Sequence, residues 1–293
     1  MSKSKIVELV DQHTPNEGVT ETGLEGLQLF RATQPVERIP AVYSPSVCGI
    51  LQGSKRAYLG GEEHVYDESG FLCCTMPLPI EAAIPHATPE EPVLGFLLSL
   101  ETQVLLETLV KLETISHTET SVVEQMPGLM VAEWDAMFSD AVLRMLQLLD
   151  DPEALQILGR GRLREVMFAL VRGGAGTLLL RNLGASRDIS RVLGYIQKNL
   201  HNPLTIEDLV KESRMSKTVL HRKFKAATTL SPLQFIKALR LNDAAMLIAS
   251  GQGVTQAAFQ VGYESSSQFS REFRRHYGSS PREWASTYNR VGV

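Results

Sequence analysis

A repeat at an offset of 49 residues occupies the C-terminal third of this 293-residue chain. Aligning residues 216–235 with residues 265–284 gives five identities in twenty positions, including the first serine and a later Ser-Pro pair. Each copy has the pattern of a serine-capped helix of about ten residues, after which Ser-Pro opens another helix. A shorter helical pattern precedes each copy, at residues 205–210 and 254–259. The repeat therefore predicts two helix-turn-helix units.

The two parts of the chain differ in charge. Residues 188–293 carry 15 Lys and Arg against 8 Asp and Glu, a net charge of +7, whereas residues 1–187 carry 14 against 25, a net charge of −11. A basic segment joined to an acidic one predicts a polyanion-binding module attached to a domain with another role. We place the domain boundary between residues 187 and 188, next to the glycine-rich stretches at 173–176 and 184–186.

Each capped helix combines an apolar pair with a polar face. Leu220 and Phe224 in the first helix, and Phe269 and Phe273 in the second, stand four residues apart and are expected in the core. The polar faces consist of Thr218, His221, Arg222 and Lys225 in the first helix, and Ser267, Ser270, Arg271 and Arg274 in the second. One such face is usually solvated surface. Its occurrence twice, in equivalent positions of a basic segment, favours a surface that reads bases in the DNA major groove.

Residues 1–98 have the pattern of short strands, because short apolar segments alternate there with Gly and Pro. This pattern is typical of a β-sandwich or barrel. The apolar spacing becomes helical at residues 100–112 and 137–149, and a third helix is predicted from Pro152 to Arg172. The predicted fold class is α+β, with a β-sandwich or barrel and helices in residues 1–187 and an all-α domain of two helix-turn-helix units in residues 188–293.

Residues 188–293 resemble the DNA-binding domain of AraC/XylS-type transcriptional regulators. The resemblance rests on the stretches 204–209, 215–225 and 261–273, and on Leu239-Arg240-Leu241 between the two units. It implies two helix-turn-helix units joined by a long helix, sequence-specific binding of double-stranded operator DNA, and contact with RNA polymerase. The base-reading residues that it implies are Lys217, Thr218, His221 and Arg222 in the first recognition helix, and Ser266, Ser267, Gln268 and Arg271 in the second.

The first unit departs from the family's pattern at its turn, where Arg214 stands in place of the usual glycine. The first copy also has Thr229 where the second has Gly278. A left-handed conformation at Arg214 would cost roughly 1–2 kcal/mol. We therefore expect the second unit, which keeps Gly262 and Gly278, to be the more rigid one.

Residues 43–55 and 89–92 resemble the N-terminal domain of a subgroup of these regulators. That resemblance implies a cupin-like β-barrel followed by helices, which senses a signal or holds a homodimer together. The hypothesis is a transcriptional activator controlled by a small molecule or a reactive electrophile. The alternative is a constitutive regulator whose N-terminal domain only dimerises. An apolar stripe of Leu143, Leu146 and Leu149 predicts either a dimer seam or packing against the barrel.

Cys48 lies in an apolar strand inside the family-like stretch. Two interpretations are open. The thiol packs in the core as a small hydrophobe, or it is a sensor thiol, alone or with Cys73 or Cys74, that an oxidant or aldehyde modifies. Lys55 or Arg56 would favour its thiolate if either came close in the fold.

Other function classes find little support. The seven histidines include no His-x-His pair and the three cysteines lack the paired spacing of zinc sites, so neither a metal nor another cofactor is predicted. No phosphate-binding loop or cysteine-hydrolase signature is present, which argues against an enzyme. No segment approaches the run of roughly 18 apolar residues that a membrane span needs. An odd number of cysteines predicts a reducing cytoplasm rather than a secreted disulfide framework.

Overall fold

The computed structural model describes residues 2–101, 104–105, 107–108, 127–179 and 187–288. The chain divides into two compact units. The first comprises Met1–Ile39, Tyr43–Met76 and Ala82–Ser186, and the second comprises Pro40–Val42, Pro77–Glu81 and Arg187–Val293. The predicted α+β class is confirmed, with strands concentrated before residue 134 and helices after residue 187.

Strands make up most of the N-terminal elements. They are β1 (Gly18–Glu21), β2 (Leu27–Ala32), β3 (Val36–Tyr43), β4 (Ser46–Gln52), β5 (Ser54–Leu59), β6 (Glu62–Asp67), β7 (Gly70–Cys74), β8 (Leu78–Ile84), β9 (Val93–Ser99) and β10 (Leu129–Glu133). The helices around them are α1 (Ser2–His13), α2 (Ala136–Leu146), the 3-10 turn Gln147–Asp150 and α3 (Pro152–Arg172).

In the described part of the chain, the strands form two sheets rather than one closed barrel. The six-stranded sheet has the order β1-β2-β9-β4-β7-β10, and the four-stranded sheet has the order β3-β8-β5-β6. The chain crosses from one sheet to the other between β4 and β5. There the register shifts between Ile50 and Gln52, and Gly53 has a φ of +82°. The described strands thus form a two-sheet sandwich that is compatible with a cupin-like fold.

Helices cover one face of the six-stranded sheet. Their shared core includes Val10 of α1, Val47 of β4, Met145 of α2 and Met167 of α3, all fully buried. Trp134 lies at the centre of an aromatic cluster, with ring-centroid distances of 5.1 Å to Phe138 and 5.8 Å to Phe96. This burial supplies most of the hydrophobic stabilisation of the unit.

The structure corrects the expectation that residues 1–98 are all extended. Residues 2–13 form α1, because Ile6, Leu9 and Val10 recur at helical spacing and bury one face against the core. The strand β10 was also not predicted. Its residues Leu129–Glu133 pair with β7, which lies more than fifty residues earlier in the chain.

The predicted helices after residue 100 are found where the chain is described. Asp151 caps α3, Pro152 stands in its first turn, and Gly173 follows its last residue, as the pattern predicts. Leu109 and Leu112 of the predicted 100–112 helix lie outside the described residues. Leu146 is fully buried, and Leu143 and Leu149 pack on the same core. The leucine stripe therefore packs on the core of its own unit, with Leu143 and Leu149 still partly exposed.

The C-terminal elements are all helical in the described residues. They are α4 (Arg187–Lys198), α5 (Ile206–Ser213), α6 (Lys217–Thr228), α7 (Pro232–Ala249), α8 (Val254–Gln260), α9 (Ser266–Tyr277) and α10 (Pro281–Tyr288). Local capping explains several boundaries. Thr205 and Asp208 form a reciprocal capping box at the start of α5, and Ser216 and Ser265 cap α6 and α9. Among all described helices, none is long and apolar enough to cross a membrane.

In both helix-turn-helix units, residues that follow a helix have a left-handed backbone conformation, but the two units use different residue types there. Arg214 follows α5 with a φ of +55°, and Thr229 follows α6 with a φ of +62°. In the second unit, glycines take these conformations at Gly262 and Gly278, with φ values of +89° and +76°. The expected strain at Arg214 is therefore present, and Thr229 adds a second strained position to the first unit.

Thr229→Gly is expected to stabilise the second compact unit by about 1 kcal/mol, because glycine adopts a positive φ without steric cost. The change also removes a buried hydroxyl that has no hydrogen-bond partner among the described residues. Urea unfolding of the full chain, followed by Trp284 fluorescence in a Trp134→Phe background, measures the effect. Arg214→Gly, at an exposed left-handed position, is the matched variant for the backbone contribution alone. An unchanged or lower stability of Thr229→Gly would contradict the prediction.

Candidate nucleic-acid interface

The two capped helices of the repeat, α6 and α9, are anchored by the apolar pairs that their spacing predicts. Leu220 and Phe224 of α6 are fully buried, as are Phe269 and Phe273 of α9. Phe224 packs edge-on against Phe235 of α7, with ring centroids 5.3 Å apart. These anchors fix which face of each helix points inward, so the opposite faces reach solvent.

All eight predicted base-reading residues have accessible side chains. Those classed as exposed are Lys217, Thr218 and Arg222 on α6, and Ser267, Gln268 and Arg271 on α9. His221 and Ser266 are half-buried. The structure thus brings four of these residues together on α6 and four near the start of α9. Both sets lie in the N-terminal half of their helix, the part of a recognition helix that contacts base edges in the major groove.

The arginines on these faces differ from Lys217 in their ionic partners. Lys217 Nζ lies 3.4 Å from a carboxylate oxygen of Glu207, and both side chains are well exposed. Neither Arg222 nor Arg271 forms an ion pair with any described residue. A guanidinium without an internal carboxylate partner keeps all its donors for an external acceptor, such as the O6 and N7 atoms of guanine.

An open groove of about 470 Å³ lies beside α6. It is lined by His221, Arg222, Lys225, Ala226 and Ser231. Ser231 is the N-cap of α7, so the groove combines two cationic side chains with a helix N-terminus, the kind of environment that attracts a phosphate. Lys225 is thus positioned to contact a phosphate at this groove.

Glu272 was not identified from the sequence, yet it holds α9 in place. Its carboxylate accepts hydrogen bonds from Lys237 Nζ at 2.9 Å, from Tyr263 Oη at 3.0 Å and from Gln268 Nε2 at 3.4 Å. Burial alone would raise the pKa of Glu272, but these hydrogen bonds and the Lys237 charge lower it below its ordinary value. Glu272 therefore ties the recognition helix to α7 and to the turn before it. The only sequence signal was its spacing of four residues from Gln268.

Glu272→Gln is expected to destabilise the second unit by about 1–2 kcal/mol, because a neutral amide binds Lys237 less strongly than a carboxylate does. The folded pKa lies below the ordinary value of 4.5, so the unfolded state binds more protons at low pH. The contribution is complete above pH 4.5 and disappears as the pH falls through the folded pKa. Urea midpoints between pH 3 and 7 should therefore fall less in the variant than in wild type. If the urea midpoints of wild type and variant change equally with pH, this role of Glu272 is contradicted.

The turn of the second unit packs closely on the loop that follows α4. A Cβ built on Gly262 would lie 2.9 Å from the carbonyl oxygen of His201 and 3.1 Å from its carbonyl carbon. Arg240 of α7 holds the same loop, donating to the carbonyls of Leu200 at 2.9 Å and Asn202 at 2.7 Å. Gly262 is thus required both for its backbone conformation and for this close approach.

The three cysteines are free and buried, and the strand register separates them. Cys48 lies opposite Leu72, whereas Cys73 lies opposite Val47 and so points to the other face of the sheet. Cys74 shares a face with Cys48 but lies opposite Ser46. Burial raises the pKa of Cys73, and raises that of Cys74 to about 12. The register thus turns Cys73 away from Cys48, and the raised pKa disfavours the thiolate of both Cys73 and Cys74.

In the described part of the chain, no group of three or more His, Cys, Asp or Glu side chains is arranged so that it could hold a metal ion. His64 is half-buried at the start of β6, beside the exposed Glu62 and Glu63. His117 lies outside the described residues.

Comparison with known families gives two matches that together cover most of the chain. Residues 23–178, more than half of it, match the family described as the AraC-type transcriptional regulator N-terminus. Residues 209–287 match a helix-turn-helix domain family. The second match contains both recognition helices α6 and α9.

Relatives and solved structures agree with these matches. The transcriptional activator RhaS of Escherichia fergusonii is 30% identical over 145 residues, which are 48% of this chain and 52% of RhaS. The raffinose operon regulatory protein RafR of Pediococcus pentosaceus is 34% identical over 33% of this chain and 35% of RafR. The chain therefore spans about half the length of the E. fergusonii RhaS and about a third of the length of RafR. RhaS of Salmonella arizonae is 25% identical over 76% of this chain and 72% of RhaS.

ToxT of Vibrio cholerae shares the fold over nearly its whole length. One ToxT structure aligns with a TM-score of 0.57 at 11% identity, covering 92% of this chain and 98% of ToxT. The first family match and the relatives named above are described as transcriptional regulators. With two capped recognition helices after an N-terminal region of the matching type, this chain belongs to the AraC-type family of transcriptional regulators.

Proposed function

We propose that this protein is a cytoplasmic transcriptional activator that binds operator DNA through residues 188–293 and is controlled through residues 1–187. The observation that carries the proposal is the pair of recognition helices whose polar faces are accessible and whose arginines have no ion pair among the described residues. RhaS, which shares sequence with both parts of the chain, is named as a transcriptional activator. RNA polymerase and a second copy of the chain are the proposed protein partners.

In this proposal the two recognition helices enter successive major grooves on one face of the duplex, about 34 Å apart. Arg222 and Arg271 read guanines, and the smaller polar residues around them contact neighbouring base edges. Lys223, Lys225, Arg274 and Arg275 contact phosphates, each contributing about one unit to the salt dependence of binding. The groove beside α6 supports this division, because it places Lys225 next to a helix N-terminus.

Selection of bound fragments from source genomic DNA by the purified full-length protein tests the DNA-binding function. A few sharply enriched sites are expected at near-physiological salt. An Arg222→Glu/Arg271→Glu double variant, changed only on exposed faces, should fold normally and lose the enrichment. If wild type selects no sites, either alone or as residues 188–293, the proposed function is wrong.

Control by an effector is the second part of the proposal. ToxT, which shares the fold, has been determined with an unsaturated fatty acid bound, and this supports a small-molecule effector for the N-terminal unit. Cys48 is only 2% exposed. Electrophile sensing would therefore require this core to open. A Cys48→Ser variant that still induces target genes under electrophile or oxidant stress would reject the sensor thiol. The constitutive alternative predicts that no small molecule changes DNA binding.

A further inference from the structure

Asn242 is a buried polar residue in the middle of α7, and the accessible faces of α6 and α9 do not account for it. It is only 1% exposed and stands beside the buried apolar residues Leu241, Ala244 and Ala245. Asparagine is a poor helix former, and an amide buried without partners costs stability. Its presence in this apolar helix is therefore explained by the specific contacts that it makes.

Both ends of the Asn242 amide are hydrogen-bonded. Nδ2 donates to the carbonyl oxygen of Ala41 at 3.0 Å and to that of Ile80 at 3.4 Å. Oδ1 accepts from the Tyr277 hydroxyl at 2.6 Å. A carbonyl oxygen can only accept, so these contacts fix which end of the amide faces which partner. Asparagine thus joins two acceptors on one side to a donor on the other, whereas leucine has no polar atom and an ionised aspartate has only acceptors.

The two carbonyls that Asn242 binds come from the N-terminal half of the sequence. They lie in Pro40–Val42 and Pro77–Glu81, segments that belong to the same compact unit as Arg187–Val293. The first segment is part of β3 and most of the second is part of β8, and these strands are neighbours in the four-stranded sheet. A further contact reaches the second segment, since His276 Nε2 lies 3.7 Å from a carboxylate oxygen of Glu81. The unit that contains both recognition helices is therefore completed by two strand segments.

Tyr277 is the last residue of the recognition helix α9. Its ring packs against those of Phe273 and Trp284, with centroids 4.6 Å and 4.9 Å away, and its hydroxyl reaches Asn242. Arg271 lies six residues earlier on the same helix, which is about 9 Å along the helix axis. Recognition groups must be held within about 0.5 Å of their productive position. A displacement of the end of α9 would therefore move Arg271 away from its base pair.

We propose that Asn242 is a positioning residue for DNA recognition. It connects the end of α9, through Tyr277, to the backbone of Ala41 and Ile80, and so sets where α9 meets the base pairs. This inference rests on the proposed DNA-binding function. It gives two strand segments outside both helix-turn-helix units a role in the base preference of the second recognition helix.

Competition binding by the full-length protein, with every single-base variant of one enriched site, tests this role. Arg222→Ala and Arg271→Ala first identify the base pairs that α6 and α9 read. Asn242→Leu removes both ends of the connection, and Tyr277→Phe removes only the hydroxyl and keeps the packed ring. Each should reduce the preference at the α9 base pairs about tenfold, the loss expected for one good base contact. The preferences at the α6 base pairs should stay unchanged.

Asn199→Leu is the matched control, because Asn199 Nδ2 donates to the carbonyl of Tyr195 one turn earlier rather than to a strand segment. It should leave every base preference unchanged. A variant that only lowers the folded fraction weakens binding to all sequences equally, so comparing the two sets of base pairs separates positioning from stability. Since Asn242 and Tyr277 act through one hydrogen bond, the double variant should lose little more preference than either single variant.

Three results would overturn the inference: an unchanged preference at the α9 base pairs in Tyr277→Phe, an equal loss at the α6 and α9 base pairs, or additive effects in the double variant. If Asn242→Leu does not fold, Tyr277→Phe alone decides between positioning and no role. Wild type that selects no DNA sites rejects the regulator function itself. Normal selection with unchanged α9 preferences in the variants rejects only the positioning role.

Discussion

Arg271→Ala is expected to weaken binding to the selected DNA sites by about 1–3 kcal/mol and to relax the preference at one base pair. Arg271 is exposed on α9, in the position that repeats Arg222 of α6, and it has no ion pair among the described residues. Its donors are therefore available to bond guanine O6 and N7 together, and alanine leaves these acceptors unsatisfied. Competition binding with every single-base variant of one enriched site measures both effects.

Arg275→Ala is the matched control, because it removes an exposed arginine from the same helix that we assign to the phosphate backbone. It should weaken all sequences about equally and reduce the salt dependence by about one unit. If Arg271→Ala behaves in this second way, then Arg271 contacts a phosphate and the assigned base reader is wrong.

Gly262→Ala is expected to destabilise the second unit by about 2–5 kcal/mol. About 1–2 kcal/mol comes from placing a Cβ at a positive φ. A further 1–3 kcal/mol, roughly, comes from the clash with the His201 carbonyl. That carbonyl cannot retreat easily, since Arg240 holds the residues on both sides of it. Urea unfolding of the full chain, read from Trp284 in a Trp134→Phe background, is the measurement.

Gly278→Ala separates the two contributions. Gly278 has a φ of +76°, but a Cβ there would meet no described atom within 4 Å. Only the backbone cost of about 1–2 kcal/mol is then expected. If Gly262→Ala is no more destabilising than Gly278→Ala, the close packing of the turn against His201 contributes nothing to stability.

The helices of the second unit were predictable because their signals are local. The Thr205–Asp208 capping box, the serine caps and the buried apolar pairs all act within one or two helical turns. The repeat then identified the equivalent faces of α6 and α9. The sequence also indicated strain at Arg214, since a missing glycine at a turn is visible without a structure.

Two features of the second unit required the tertiary structure. Glu272 gathers Lys237 and Tyr263 from α7 and the preceding turn, and no periodic pattern reports such a contact. The approach of Gly262 to His201 joins residues 61 positions apart in the chain. Both contacts depend on how separate helices and turns pack against each other. The spacing of residues within one helix does not reveal that packing.

By itself, the sequence determined the α+β class, the double helix-turn-helix unit and the identity of its two outward faces, because capping and helical periodicity are short-range properties. Only the tertiary structure decided which groups meet inside the first unit. From the sequence alone, Lys55 and Arg56 were equally good candidates for a basic residue close to Cys48. Strand pairing resolved the choice, because adjacent residues on a strand point to opposite faces, and the register with Tyr66 turns Lys55 inward.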